Sequence, residues 1–140
     1  MAKDRKNRGR FAGIPVFVME SSAYVTLPPL AKCLLYELAA QYNGKNNGYL
    51  SLTRADLKDR GYPSTNSNTK AINILVQAGL ITQTRNGGVA KGRRICNLFA
   101  LNWQPIDERI DKSLERGFPF NGSFQLWLED MSKQVKILAR

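Results

Sequence analysis

Asn66, Lys70 and Asn73 recur at intervals of four and three residues, the spacing that lines side chains along one face of an α-helix. Their shared chemistry is edge recognition. A carboxamide donates and accepts in one plane, as the edge of adenine demands, and an ammonium group reaches guanine acceptors or a phosphate. They lie in PSTNSNTKAINILVQAGLI, residues 63 to 81, whose first half spends Ser64 to Thr69 on short polar residues that form helices poorly. Such residues suit a helix start aimed at a polyanion, because they let backbone amides and the positive helix end come close to a phosphate. Ser64 and Thr65 are candidate N-caps, and Asn66, Lys70 and Asn73 form the candidate base-reading row. A capped, solvated helix face without a ligand is the bland alternative.

A second constellation is basic. Residues 85 to 94 carry Arg85, Lys91, Arg93 and Arg94 and no acid, while residues 1 to 10 carry Lys3, Arg5, Lys6, Arg8 and Arg10 against Asp4 alone. Each stretch is +4, so most of the chain's net charge of +10 sits in two short segments. Clustering of one sign points to a polyanionic partner, nucleic acid first. An anionic membrane surface comes second, since neither run lies on an amphipathic helix. Near Gly87, Gly88 and Gly92 the cations could grip phosphates or place an arginine in a minor groove, while the arm could follow a minor groove or merely keep the protein soluble. If arm, hairpin and helix together neutralise about six phosphates, the log-log salt slope is near −5, at about −0.9 per phosphate.

What is missing narrows the function further. With no histidine, the commonest general acid/base and the Ser-His and Cys-His nucleophile pairs are gone, which points away from an enzyme. Cys33 and Cys96 lie far apart without CxxC spacing and read as reduced, partly buried thiols, and no metal or cofactor is expected. The start MAKDRKNRGRF lacks an apolar run of signal-peptide length, and no stretch approaches the roughly 20 apolar residues of a membrane span. A cytoplasmic protein, nucleoid-associated when bound to DNA, is the expectation.

The 140 residues, 43% apolar, suffice for one compact domain with appendages. FAGIPVFVMESSAYVTL, from Phe11, reads as an extended lead-in packed on the core. After Pro28 and Pro29, a central helix places Leu30, Cys33, Leu34 and Leu38 on its inner face with Gln41 at the rim. YLSLT alternates as a short strand, and Thr53 caps a second helix that stops near Gly61. On the third helix, Ile72, Leu75, Val76 and Gly79 form the core face and Asn66, Ser67, Lys70, Asn73, Ile74 and Gln77 the outer arc. Leu80 to Arg85 and Arg94 to Trp103 make a hairpin with its turn at Asn86-Gly87-Gly88 and the basic cluster at its tip.

TLPPLAKCLLYELAAQYNGKNNG, the pair SLTRADLKDRG and PSTNSNTKAINILVQAGLI, and the hairpin closing in CNLFALNWQPID together resemble the winged helix-turn-helix DNA-binding proteins of bacteria. Within that group the chain looks most like small proteins of phages, plasmids and integrated mobile elements, including N-terminal domains of replication proteins. The resemblance implies an α+β fold: a three-helix core plus a β-hairpin wing over residues 11 to 103, flanked by a flexible basic arm at 1 to 10 and a helical extension at 104 to 140. It also implies that the helix from Ser64 to Gln77 is a recognition helix, with Ser64, Thr65, Asn66, Ser67 and Lys70 at the family's usual contact positions. Two residues depart from the family pattern. Asn68 stands where an apolar anchor is usual, and Ile74 stands on the polar arc, where it could meet a thymine methyl, the lead-in or a protein partner.

In the extension, Ile106, Ile110 and Leu114 mark a short helix, and Phe124, Leu128, Met131, Val135 and Leu138 follow at coiled-coil spacing. They form a candidate dimer interface or pack back on their own domain. The function expected is a sequence-specific double-stranded DNA binder, a transcriptional regulator or replication-associated factor acting by occupancy. The alternative is a winged-helix protein-interaction module that engages a host or phage protein through a face including Ile74; RNA binding is a third reading.

Overall fold

The computed structural model describes residues 9–107. Among the described residues, five helices lie before a β-hairpin: α1 Val16–Met19, α2 Ser22–Val25, α3 Pro29–Gln41, α4 Arg54–Asp59 and α5 Thr65–Gln77. The strands are β1 Ile81–Arg85, β2 Gly88–Ala90, β3 Arg93–Ile95 and β4 Leu98–Leu101. Helices with two small antiparallel sheets, β1 with β4 and β2 with β3, make a mixed architecture compatible with the α+β class.

The lead-in differs from the extended segment expected. It folds into α1 and α2, whose turns satisfy the backbone locally, as in Glu20 N–H to the Val16 carbonyl and Val25 N–H to the Ser21 carbonyl. Ser21, fully buried, joins the two turns: its hydroxyl donates to the Val18 carbonyl at 2.5 Å and accepts from the Tyr24 amide at 3.3 Å. β-branched composition therefore loses to capping.

Pro28 and Pro29 start α3, whose buried arc is Ala31, Leu34, Leu35, Leu38 and Ala39. Cys33, expected on that arc, is exposed on the opposite side, while Leu35 takes its place. The reason is that α3 packs on two sides. The lead-in crosses one, with the Lys32 ammonium 5.1 Å from the Tyr24 ring centre and the Tyr36 hydroxyl 3.8 Å from Met19 Sδ. At the helix end, the Gln41 carboxamide acts as a strand partner, donating to the Ser51 carbonyl at 2.6 Å and accepting its amide at 3.0 Å.

The short α4 is held by local chemistry at its start and by a distant partner at its end. Thr53 Oγ1 accepts from the Asp56 amide at 3.2 Å, and Leu57 is buried. Arg60 then bonds Glu37 of α3 with two nitrogens, at 3.0 and 3.3 Å, and that carboxylate raises the guanidinium pKa. YLSLT yields only one bridge, Leu50 with Phe99, instead of a strand.

The helix α5 is capped by Ser64, whose hydroxyl accepts from the Ser67 amide. Its buried residues are Asn68, Ala71 and Leu75. The core face is thus rotated from the one expected, and Ile72 and Val76 only flank it, half-buried. Asn68 fills the place of the apolar anchor because its Nδ2 donates to the Tyr62 carbonyl at 3.0 Å, closing the turn that enters the helix. Ile74, placed on the polar arc by periodicity, is half-buried against the core. The helix ends in a Schellman motif: Gly79 adopts φ +78°, its amide donates to Val76, and Leu80 donates to Leu75.

The hairpin is one register with one interruption. After a bulge that leaves Thr84 unpaired in the ladder, Arg85 faces Leu98, Gly88 faces Ile95 and Ala90 faces Arg93. The expected turn at Asn86-Gly87-Gly88 is not where the chain reverses. It reverses at Lys91 and Gly92, with φ of 52° and 73°, positive at both central residues as a type I′ turn requires. Asn86 and Gly87 instead form the interruption, where Gly87 donates its amide to Asn97 Oδ1. The buried Thr84 hydroxyl donates to the Gly48 carbonyl, tying the bulge to the 44–48 loop.

One core joins these elements, with Leu34, Leu38, Leu50, Leu75, Leu80, Ile81 and Phe99 nearly inaccessible to water. Burying such a side chain stabilises by about 2 kcal/mol. Packing continues past Trp103 to Ile106, buried in an irregular segment, and to Asp107; Ile110 and Leu114, the other residues of the short helix expected there, lie outside the described residues. Asp107 exchanges two hydrogen bonds with the backbone of Asn47, at 2.8 and 2.9 Å.

Candidate nucleic-acid interface

Capping and anchoring leave one side of α5 open. Asn66, Ser67, Thr69, Lys70 and Asn73 are exposed and Thr65 is half-buried, while Ser64 is exposed and spends its hydroxyl on the cap. Since Asn68, Ala71 and Leu75 hold the opposite side, Asn66, Lys70 and Asn73 project together. Thr69, a member of the same surface that periodicity passed over, donates its hydroxyl to the Thr65 carbonyl at 2.9 Å.

The hairpin cations divide into three kinds. Lys91 sits in the tip turn, exposed. Arg93 and Arg94 are adjacent on β3 and exposed, so they face opposite sides of the two-stranded ribbon. Arg94 lies across from Val89 and shares its face. Arg85 is different: it is half-buried, and its Nε and Nη2 both donate to the Cys96 carbonyl, at 3.1 and 2.9 Å, fastening the hairpin to itself.

Between helix and hairpin lies a cleft of about 200 Å³, lined by Arg54, Thr65, Thr69, Asn73, Gln83 and Asn97 among others. A broader groove of about 790 Å³ runs between the start of α4 and the distal hairpin, where Thr53, Arg54, Gly88, Val89 and Arg94 contribute. Arg54 lines both. It therefore stands between Thr69 and Asn73 of α5 and Arg94 of the hairpin, a part that sequence reasoning missed. Its signal was present, an exposed cation just after a capping threonine, but the partner surfaces are remote in sequence.

No protein-family model, curated protein or solved structure matches the chain.

The remaining candidates are placed as follows. Arg10 is exposed, and its Nη2 donates to the carbonyls of Ala40 at 3.0 Å and Tyr42 at 3.4 Å, so it caps the end of α3. Arg5, Lys6 and Arg8 lie outside the described residues, as do Phe124, Leu128, Met131, Val135 and Leu138. Both cysteines are free thiols, Cys33 exposed and Cys96 half-buried beside Arg85. Among the described residues, no cluster of three His, Cys, Asp or Glu could hold a metal ion, and no helix is long and apolar enough to cross a membrane.

Proposed function

We propose that this domain is a winged helix that binds double-stranded DNA by sequence, with α5 in the major groove and the distal hairpin as a wing on the adjacent backbone. The observation that supports this most is the shared cleft: exposed Asn73 and Thr69 of α5 and Asn97 of the hairpin line it together, with Arg54 continuing to Arg94. A row of two asparagines and a lysine supplies base-edge chemistry, and Arg94, Arg93 and Lys91 supply phosphate chemistry. The major groove is wide enough for a helix whose outer residues are this short. With no catalytic set in view, the protein acts by occupancy, as a regulator or replication-associated factor of a phage or mobile element in the bacterial cytoplasm.

The alternative reading, a protein-interaction module, has Ile74 as part of the contact, and that side chain is half-buried against the core. Anisotropy titration against random duplex, single strand and genomic fragments across a salt series tests the proposal. Duplex binding with a log-log slope near −5, corresponding to about six neutralised phosphates, is the expected result. No duplex binding at low salt would overturn it.

A further inference from the structure

An asparagine followed by glycine can modify itself, because glycine brings no Cβ to hinder ring closure. When the glycine amide loses its proton to solvent, its nitrogen attacks the asparagine Cγ. The new C–N bond closes a succinimide ring, the Cγ–Nδ2 bond breaks, and the nitrogen leaves as ammonia after taking up a proton. Water then adds to one of the ring carbonyls and opens the ring to aspartate or to isoaspartate, whose backbone runs through the side chain. Nothing is oxidised or reduced. The reaction needs an amide nitrogen free to attack, and it gains from a donor on Oδ1, where negative charge develops.

Four such pairs occur, at Asn43, Asn47, Asn86 and Asn121, the last outside the described residues. The fold treats the other three differently. Asn47 is fully buried, its Oδ1 taking the Leu101 amide and its Nδ2 giving to three carbonyls, so its carboxamide is held against both attack and loss of nitrogen. Asn86 is exposed, but its nucleophile, the Gly87 amide, is donated to Asn97 Oδ1, and Gly87 is closely enclosed by Asn97 and the Ile95 carbonyl.

Asn43 has neither restraint. It and Gly44 are exposed, and a Cβ added at Gly44 would meet nothing within 4 Å. Among the described residues, none accepts the Gly44 amide or the Asn43 Nδ2. The Lys45 amide donates to Asn43 Oδ1 at 2.8 Å, a position from which it draws charge from Cγ and steadies the oxyanion of ring closure. The Asn43 amide in turn donates to Asn46 Oδ1, and Asn46 Nδ2 donates to the Gln41 carbonyl, both at 2.9 Å, which holds the loop around the pair.

We propose that Asn43 is a self-modification site, converted to aspartate and isoaspartate in the folded protein while Asn47 and Asn86 are spared. The product places a carboxylate in the loop after α3, and isoaspartate adds a backbone carbon to the path from Gln41 to Asn47. The site is independent of DNA binding.

The full-length chain, incubated in mildly alkaline heavy-oxygen water and then digested in ordinary water, tests this by peptide mass spectrometry with fragmentation that separates isoaspartate from aspartate. Label should enter at Asn43 about tenfold faster than at Asn86, as expected when one amide hydrogen bond must first open. Asn47 should be slower still, since it needs local unfolding. In urea the three positions should react at similar rates. Lys45→Pro, which deletes the donor to Oδ1, should slow Asn43. Asn97→Ala, which frees the Gly87 amide, should speed Asn86 while Asn47 keeps its rate and amide exchange at Leu34 and Leu75 is unchanged. Asn43 reacting no faster than Asn86 in the folded chain would overturn the proposal, and so would the same ranking persisting in urea, which would assign it to local sequence alone.

Discussion

Asn47 and Leu101 are joined by two hydrogen bonds, the Leu101 amide donating to Asn47 Oδ1 at 2.7 Å and Asn47 Nδ2 donating to the Leu101 carbonyl at 2.9 Å. The side chain of one residue thus stands in for a neighbouring strand at the end of β4. The same Nδ2 also reaches the carbonyls of Gln104 and Pro105, and Asn47 is fully buried. Through it, the loop after α3 holds the chain that leaves the hairpin.

Replacing Asn47 by Ala should therefore cost more than a surface change. It strands the Leu101 amide and up to three carbonyls in a buried place, for an expected loss of roughly 2–4 kcal/mol. Urea unfolding of Asn47→Ala should show a lowered midpoint with an unchanged slope, and a midpoint equal to that of the parent would show that the network carries no stability.

Gly87 is the tightest point of the hairpin. A Cβ there would lie 2.8 Å from both Asn97 Oδ1 and the Ile95 carbonyl oxygen, so backbone as well as side chain would have to move. Gly87→Ala should destabilise the distal ladder by about 1–3 kcal/mol. Amide exchange should speed up at Val89 and Arg94 while Leu75 and Leu80 remain protected.

The two halves of the proposed DNA surface should fail differently. Lys70→Ala and Asn66→Ala should reduce discrimination between target and random duplex by about 1–3 kcal/mol where the contact is bidentate. Arg93→Ala combined with Arg94→Ala should weaken every duplex alike and flatten the salt slope by roughly 2, at about 0.9 per phosphate. Unchanged discrimination in both α5 variants would remove that helix as the reader. A loss confined to one sequence would contradict a phosphate role for the arginines.

Alkaline pH should weaken the fold through its tyrosines. Burial pushes the hydroxyls of Tyr24, Tyr42 and Tyr62 above the usual 10.0, with Tyr36 adding to the first, Asp107 to the second and Glu37 to the third. A raised folded-state value means that the folded chain holds its proton longer than the unfolded chain. This stabilisation is complete below the unfolded value and is lost as pH rises through the folded one. Unfolding midpoints should thus fall as pH climbs past about 10. Tyr42→Phe should shallow that decline, and an identical pH profile would contradict the assignment.

Much of the helical framework can be read from neighbouring residues. Thr53 and Ser64 cap helices whose amides lie three positions on, and Gly79 ends α5 by adopting a backbone conformation that suits glycine. The polar row of Asn66, Lys70 and Asn73 is legible for the same reason, since helical spacing alone aligns it. The placing of the reversal was not legible. Asn86-Gly87-Gly88 is the stronger turn signal, yet the chain turns at Lys91 and Gly92, in a register offset by the bulge at Thr84. That bulge depends on a buried hydroxyl meeting the Gly48 carbonyl, a partner no local pattern reveals.

The cations divide along the same line. Charge clustering identifies two basic stretches from composition alone, because charge adds regardless of conformation. It does not say which cations are engaged within the fold. Arg85 is bound to the Cys96 carbonyl and Arg10 to the end of α3, while Arg54, outside both basic stretches, lines the cleft and the groove beside the hairpin. Caps, periodicity and net charge act within a few residues or with no geometry at all, so they are written in the chain's order. The rotation of α5 onto Asn68, the exposure of Cys33 and the tasks of these arginines arise from carbonyls and side chains remote in sequence, which become partners only when the core has packed.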